Sequence, residues 1–192
     1  MLSAEHKVTL RNHAIEARKA LRGDARREAT RAATGRAFDR LASTQGVIGL
    51  YEPFRDEIHP GELIRRLAEQ GRRLALPSTP SFTAPIVFRA WAPGDALVRG
   101  LMNIPEPSPD APEVFPEVLV VPPVAFDRRC YRIGYGAGFY DRTIPVLRHM
   151  HPVFTLGFAF ACQEVASVPD EQHDVPLDAI ATDAELMIPG PR

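Results

Sequence analysis

Residues 132–142, RIGYGAGFYDR, constrain the fold of this chain most, because Gly134, Gly136 and Gly138 alternate between an apolar run and a predicted helix. Glycine at every second position frees the backbone to turn successive N–H groups into one concavity, and a helix starting just behind adds a field that favours anions. Upstream, Val118-Leu119-Val120-Val121 has the pattern of a fully buried strand. The loop is therefore expected to leave that strand's carboxyl end, where open α/β sheets hold ligands. Tyr135, Phe139 and Tyr140 are expected to flank a base or ring, while Arg132 and Arg142 bracket the loop with positive charge. Asp141 supplies an oxygen ligand suited to magnesium on bound phosphates. The spacing matches neither G-x-x-x-x-G-K-[ST] nor G-x-G-x-x-G, since Phe139 stands where the third glycine of the latter would fall. A glycine turn that merely packs tightly is the competing reading.

Residues 2–42 are rich in Ala, Arg and Glu and contain no proline, which predicts one helix or two, broken near Gly23 and Gly35. Lys7 and Arg11 stand at i and i+4 and share a face, where two cations can reach one phosphate chain; a solvated basic face is the alternative. Residues 46–51 read as a buried strand, 59–71 as a helix with Leu63, Ile64 and Leu67 on one face, and 73–77 as a second strand. That β-α-β unit implies a largely parallel sheet. The loop after its first strand carries Glu52 and Glu57. The Glu57 carboxylate can accept two parallel hydrogen bonds from an amidine-like edge such as that of a pterin, or can simply be solvated.

Residues 86–91 form a third strand candidate, and residues 93–116, rich in Pro, Gly and Asp, read as a long surface-exposed connection. Residues 139–149 predict a helix disturbed by Pro145, and residues 154–161 a further buried strand. The His173-Asp174 pair reads, from the residues alone, as a hydrogen-bonded loop staple.

A chain of 192 residues with 45% hydrophobic content suits one domain, spanning 1–192. The net charge of -1 argues against a general nucleic-acid binder, although ten basic side chains face five acidic ones through Ala42. Cys130 and Cys162 lack metal-type spacing and suit a reducing compartment. No apolar run approaches a membrane span and no apolar h-region opens the chain, so a cytoplasmic protein is expected. H-E-x-x-H, C-x-x-C and G-x-S-x-G are all missing. Cys130 has no adjacent base and reads as a packed thiol.

Residues 121–127, VPPVAFD, followed by the glycine stretch, closely resemble the signature of the 5-formyltetrahydrofolate cyclo-ligase (5,10-methenyltetrahydrofolate synthetase) family, and the resemblance runs from Lys7 to Asp183. It implies an ATP-dependent ligase that closes 5-formyltetrahydrofolate to 5,10-methenyltetrahydrofolate, forming a C–N bond and releasing ADP and phosphate, with no protein nucleophile. By resemblance, Lys7 and Arg11 (the Lys-x-x-x-Arg pattern), Arg132, Ile133, Gly134, Tyr135, Gly136, Ala137, Gly138, Phe139 and Tyr140 bind ATP. Glu57, Glu52 and Met102, the last in a proline-stiffened loop, bind the folate, and Asp141 and Asp174 hold Mg2+. Residues 1–42 would contribute to the ATP site. Cys130 and Ala137 depart from the family pattern, which carries glycine at the first and glycine or lysine at the second. The implied fold is a three-layer α/β/α sandwich with a mostly parallel sheet, like that of sugar-phosphate isomerases and CoA transferases. The partners expected are the two small-molecule substrates, without nucleic acid or membrane, acting on a monomer or else a homodimer. A non-catalytic sensor of phosphorylated ligands on the same fold is the alternative.

Overall fold

The computed structural model describes residues 2–171 and 174–190. The chain opens with two helices, α1 (Leu2–Ala20) and α2 (Gly23–Ala42). The expected break falls just ahead of Gly23, whose φ is +56°. Gly35 does not interrupt α2. One glycine costs a helix about 1 kcal/mol relative to alanine, and α2 offsets that by burying Ala29, Ala33, Ala37 and Leu41.

Next come β1 (Ile48–Gly49), α3 (Gly61–Glu69) and β2 (Leu74–Ser78), with β1 and β2 parallel and Ile48 opposite Leu74. Leu63, Ile64 and Leu67 are the buried face of α3, as their spacing predicts. β3 (Val87–Ala90) then pairs antiparallel with β2. The segment expected to be a surface connection holds three further strands. β4 (Leu97–Arg99) and β5 (Pro105–Pro107) form a hairpin, and β6 (Glu113–Val114) extends the sheet beside β3. Prolines at both ends hide β5 in the sequence, since a short two-stranded ribbon tolerates residues that cannot donate, and β4 and β6 are only three and two residues long.

The remaining elements are β7 (Val118–Val121), β8 (Ala125–Phe126), β9 (Arg132–Ile133), α4 (Phe139–Met150), β10 (Phe154–Phe158), β11 (Ala179–Ala181) and β12 (Leu186–Met187). The glycine stretch does not leave β7 directly, because the antiparallel ribbon β8–β9 comes between them. Pro145 does not break α4: it lies on the exposed side, where the helix loses only one backbone bond.

The main sheet has the order β12-β11-β10-β7-β1-β2-β3-β6, with the five strands from β11 to β2 parallel and antiparallel strands at both edges. Alternate residues divide between two cores. Ile48, Leu74, Leu76, Val118 and Val120 pack with α2 and α3, whereas Ala75, Leu119, Val121 and Ile180 pack with Ile144 and Leu147 of α4. The result is an α/β/α sandwich. A third, smaller core joins Ala14 of α1 to Val124, Ala125 and Ile133 of the ribbon.

β1 and β7 lie side by side, yet the chain moves from β1 toward β2 and from β7 toward β10. Crossovers that run in opposite directions put α3 and α4 on opposite faces and leave a crevice at the strands' carboxyl ends. The loops that bear the candidate residues border that crevice. Among the described residues no helix is long and apolar enough to cross a membrane.

Candidate active site

Residues 50–60 follow β1 and residues 122–138 follow β7, so the acidic loop and the glycine loop meet at the switch point. Gly136 has φ +104° and Gly138 φ +66°, and Gly138 caps the start of α4. These left-handed conformations turn the loop in a way that β-carbons resist. Among the described residues no acceptor takes the N–H groups of residues 134–138. Arg11 lies against the loop, its Nε donating to the Gly134 carbonyl at 2.8 Å. Ile133 is buried beneath, and Ala137 and Phe139 are half-buried along the rim.

Two ion pairs join the candidate phosphate cations to the candidate metal carboxylates. Lys7 Nζ donates to Asp174 Oδ2 at 2.7 Å and stands 3.6 Å from Glu171. Burial pulls the Lys7 ammonium down, but Asp174 and Glu171 more than offset this and its pKa is raised. Arg132, almost wholly buried, donates to Asp141 Oδ1 at 2.6 Å and to the Val175 carbonyl. Burial lowers its pKa against the opposing pull of Asp141, Tyr140 and Asp174. Asp141 therefore pairs directly with this guanidinium, while Asp174 acts on it through its field. His173, expected beside Asp174, lies outside the described residues.

Glu57, in the loop after β1, is buried. Its Oε2 accepts the Phe54 N–H at 2.8 Å, yet burial pushes the carboxyl up to about 7. Burial, with Glu57 adding to it, also raises the Tyr51 and Tyr140 phenols, and Arg132 acts on Tyr140 in the opposite sense. Tyr140 thus stands in the fields of both Glu57 and Arg132. Glu52 is half-buried, its carboxyl raised by burial against His59. Met102 is exposed at φ +59° in the turn between β4 and β5. Among the described residues no hydrogen bond joins Met102 to this cluster; its hairpin is tied instead to the end of β2, where Glu106 accepts from Ser78 and Thr79 at 3.1 Å.

Sequence reasoning missed Arg18. This side chain is 1% exposed, donates from Nε to Asp56 Oδ2 at 3.0 Å and from Nη2 to the Tyr135 hydroxyl at 2.7 Å. Extending the Lys7–Arg11 face by seven residues would have found it, since 7, 11 and 18 recur on one side of a helix. Arg26 of α2 was also missed; it donates to the Asp56 and Glu57 carbonyls at 2.6 and 3.3 Å. Cys130, at φ +62° and fully buried, makes the turn in a conformation that glycine adopts more readily.

Among the described residues no group of three or more metal-type side chains could hold an ion by itself. Asp141 and Asp174, each paired with a cation, are oxygen donors of the kind magnesium takes one or two of, its shell being completed by phosphate oxygens and water.

The sequence matches the model of the 5-formyltetrahydrofolate cyclo-ligase family over residues 3–183. It is 35% identical over 144 residues to the 5-formyltetrahydrofolate cyclo-ligase of Escherichia coli, covering 72% of this chain and 79% of that one. It is 35% identical over 135 residues to the Haemophilus influenzae enzyme of the same name, covering 68% and 72%. The fold is similar to the solved 5,10-methenyltetrahydrofolate synthetase of Aquifex aeolicus, with a TM-score of 0.75 and 25% identity over 95% of this chain and 92% of that one. A Mycoplasma pneumoniae synthetase, 22% identical, shares the fold with a TM-score of 0.73 over 92% and 98% of the two chains. None of these relatives favours a non-catalytic sensor. By its sequence match and its fold together, the chain belongs to the 5-formyltetrahydrofolate cyclo-ligase family and is an enzyme.

Proposed function

We propose that the protein uses ATP and Mg2+ to convert 5-formyltetrahydrofolate to 5,10-methenyltetrahydrofolate, with ADP and phosphate as the other products. The observation that carries this reading is that the acidic loop meets the glycine loop: Phe54 packs edge-on against Tyr135 with centroids 5.2 Å apart, and Arg18 bonds both Asp56 and the Tyr135 hydroxyl. On this reading an anchor for a pterin edge would lie beside a cradle for phosphates.

A formamide carbonyl is a weak electrophile and its oxygen a poor leaving group. Transfer of the γ-phosphoryl to that oxygen makes the carbon attackable by N10, and phosphate then departs as the new C–N bond closes. Such transfer asks mainly for positioning and charge neutralisation. The N–H groups of residues 134–138 would orient the phosphates. Lys7, Arg11 and Arg132 would offset their charge, and Ile133, Tyr135, Ala137, Phe139 and Tyr140 would shape the nucleotide's surroundings. Asp141 and Asp174 would hold the magnesium ion, which supplies charge stabilisation on the phosphates. Ionised Glu57 would accept two hydrogen bonds from the pterin, with Glu52 and Met102 as outer wall. The setting this reading implies is a cytoplasmic enzyme of small molecules.

The test is absorbance during incubation with 5-formyltetrahydrofolate, ATP and magnesium, following the near-ultraviolet band of the methenyl product. Growth only in the complete mixture is expected. Growth without ATP would remove the phosphorylation step, and none in the complete mixture, with folded protein, would overturn the assignment.

A further inference from the structure

We propose that Arg18 is a positioning residue that couples the two ligand subsites, so that occupation of the acidic loop by the folate tightens nucleotide binding at the glycine loop, and the reverse. The inference rests on the reaction proposed above and adds to it a residue and a communication that the reaction does not require. The first observation is burial: a guanidinium that is 1% exposed must have its donors satisfied, and its Nε and Nη2 are shared between two loops that bind different ligands. One bond ends on Asp56, next to Glu57. The other ends on the hydroxyl of Tyr135, between Gly134 and Gly136.

The second observation is that the acidic loop also grips the ring of Tyr135. Phe54 meets it edge-on, with centroids 5.2 Å apart and planes at 84°. The Arg55 guanidinium stands 4.8 Å from the Phe54 centroid and 5.4 Å from that of Tyr135. Residues 54–56 therefore hold Tyr135 by its ring and, through Arg18, by its hydroxyl. The third observation is that the acidic loop is tethered at both levels. Arg26 takes the Asp56 and Glu57 carbonyls, and its Nη1 donates to the Arg18 carbonyl at 3.2 Å. The Phe54 N–H in turn donates to Glu57, so a ligand that engages Glu57 acts on the segment that clasps Tyr135.

A ligand shifts a distant equilibrium only as far as it binds two arrangements differently. Here the two arrangements are the clasp made and the clasp broken. Each ligand orders its own loop, and the Arg18 bridge lets the second ligand find the other loop already ordered. Reciprocity follows: the factor by which folate tightens nucleotide binding must equal the factor by which nucleotide tightens folate.

The experiment is equilibrium binding, by calorimetry on the full chain, of a non-hydrolysable ATP analogue with magnesium, with and without saturating 5-formyltetrahydrofolate, and of the folate with and without the analogue. The wild type is expected to show equal factors of about tenfold in the two directions. Tyr135→Phe keeps the ring contacts and removes only the hydroxyl, and Arg18→Lys keeps the charge but cannot reach both partners in the same fork. Because Tyr135 borders the nucleotide, each variant's single-ligand affinities serve as its own baseline, and against that baseline the factor should fall toward one in both variants. Tyr135→Phe is the safeguard if Arg18→Lys fails to fold. Unchanged coupling in Tyr135→Phe, or a factor of one in the wild type with both ligands binding, overturns the role of Arg18 and leaves the proposed reaction standing. Failure of the wild type to bind either ligand overturns both.

Discussion

Lys7 and Asp174 meet across 167 residues of sequence, with Nζ 2.7 Å from Oδ2, and Arg132 and Asp141 repeat the arrangement at 2.6 Å. The cations proposed for the phosphates are thus held by the carboxylates proposed for the metal. Replacing each pair by phosphate on one side and magnesium on the other keeps every buried charge compensated. Asp141→Ala and Asp174→Ala are expected to lose about 100-fold or more in turnover while remaining folded. Chelating magnesium should abolish wild-type activity. A magnesium titration of initial rates checks this, and an unchanged magnesium requirement in both variants would take them out of the metal site.

Glu57 sets a pH dependence. Burial raises its carboxyl from 4.5 to about 7, so the folded protein favours the protonated form. The sign follows: its contribution to stability is fully present below 4.5 and is lost as pH rises through about 7. Ligand binding runs the other way, because only the ionised carboxylate accepts both pterin donors. KM for 5-formyltetrahydrofolate should therefore fall as pH rises across about 7, and Glu57→Gln should raise KM and flatten that slope. KM measured in steps across neutral pH for both proteins decides, and an identical slope in the variant would assign the titration elsewhere.

The strands and helices that pack on apolar faces were legible: Val118–Val121 and the Leu63-Ile64-Leu67 face carry periodicities that burial enforces. The hairpin over 97–107 was not, because its strands are three residues each, one of them with proline at both ends, and nothing local distinguishes them from a loop. In the candidate site, the glycine loop announced itself through backbone chemistry. Arg18 did not, since its partners Asp56 and Tyr135 lie far away in sequence and a buried arginine reads like any other on a basic helix. The pairing of Lys7 with Asp174 was equally hidden. Both residues were singled out, but for different ligands, and only the fold brings them together.

Gly136 offers a test of the cradle. Its φ of +104° lies where side chains are strained, although a β-carbon would meet only Arg11, at an ordinary 3.6 Å. The cost of Gly136→Ala is then conformational, on the order of 1–3 kcal/mol. Gly134, with no positive φ and nothing within 4 Å of a β-carbon, should tolerate alanine with far less loss of stability. Thermal unfolding of the two variants separates them. Gly136→Ala should also raise KM for ATP by about tenfold, the size expected when a bound phosphate loses well-placed donors. Equal melting temperatures would remove the conformational argument.

Asp127 ends the VPPVAFD stretch and invites a chemical role, yet its surroundings give it a structural one. It is 1% exposed; Oδ1 accepts the N–H groups of Arg129 and Tyr131 at 2.9 and 3.2 Å, and Oδ2 accepts that of Val168 at 2.9 Å. Arg129 adds bonds from Nε and Nη2 at 3.1 and 2.8 Å. These contacts fix the turn between β8 and β9, where Cys130 takes its left-handed conformation, and tie it to residue 168. Asp127→Ala strands several donors at once and should cost about 3–5 kcal/mol in stability. Asp127→Asn, which keeps one acceptor oxygen, should cost less. Where the variants remain folded, turnover should stay within a few-fold of wild type, because the turn feeds Arg132 into the site without touching a substrate. Urea unfolding beside initial rates makes the distinction. A large loss of turnover in Asp127→Asn at unchanged stability would move this residue from the scaffold of the ribbon into the chemistry.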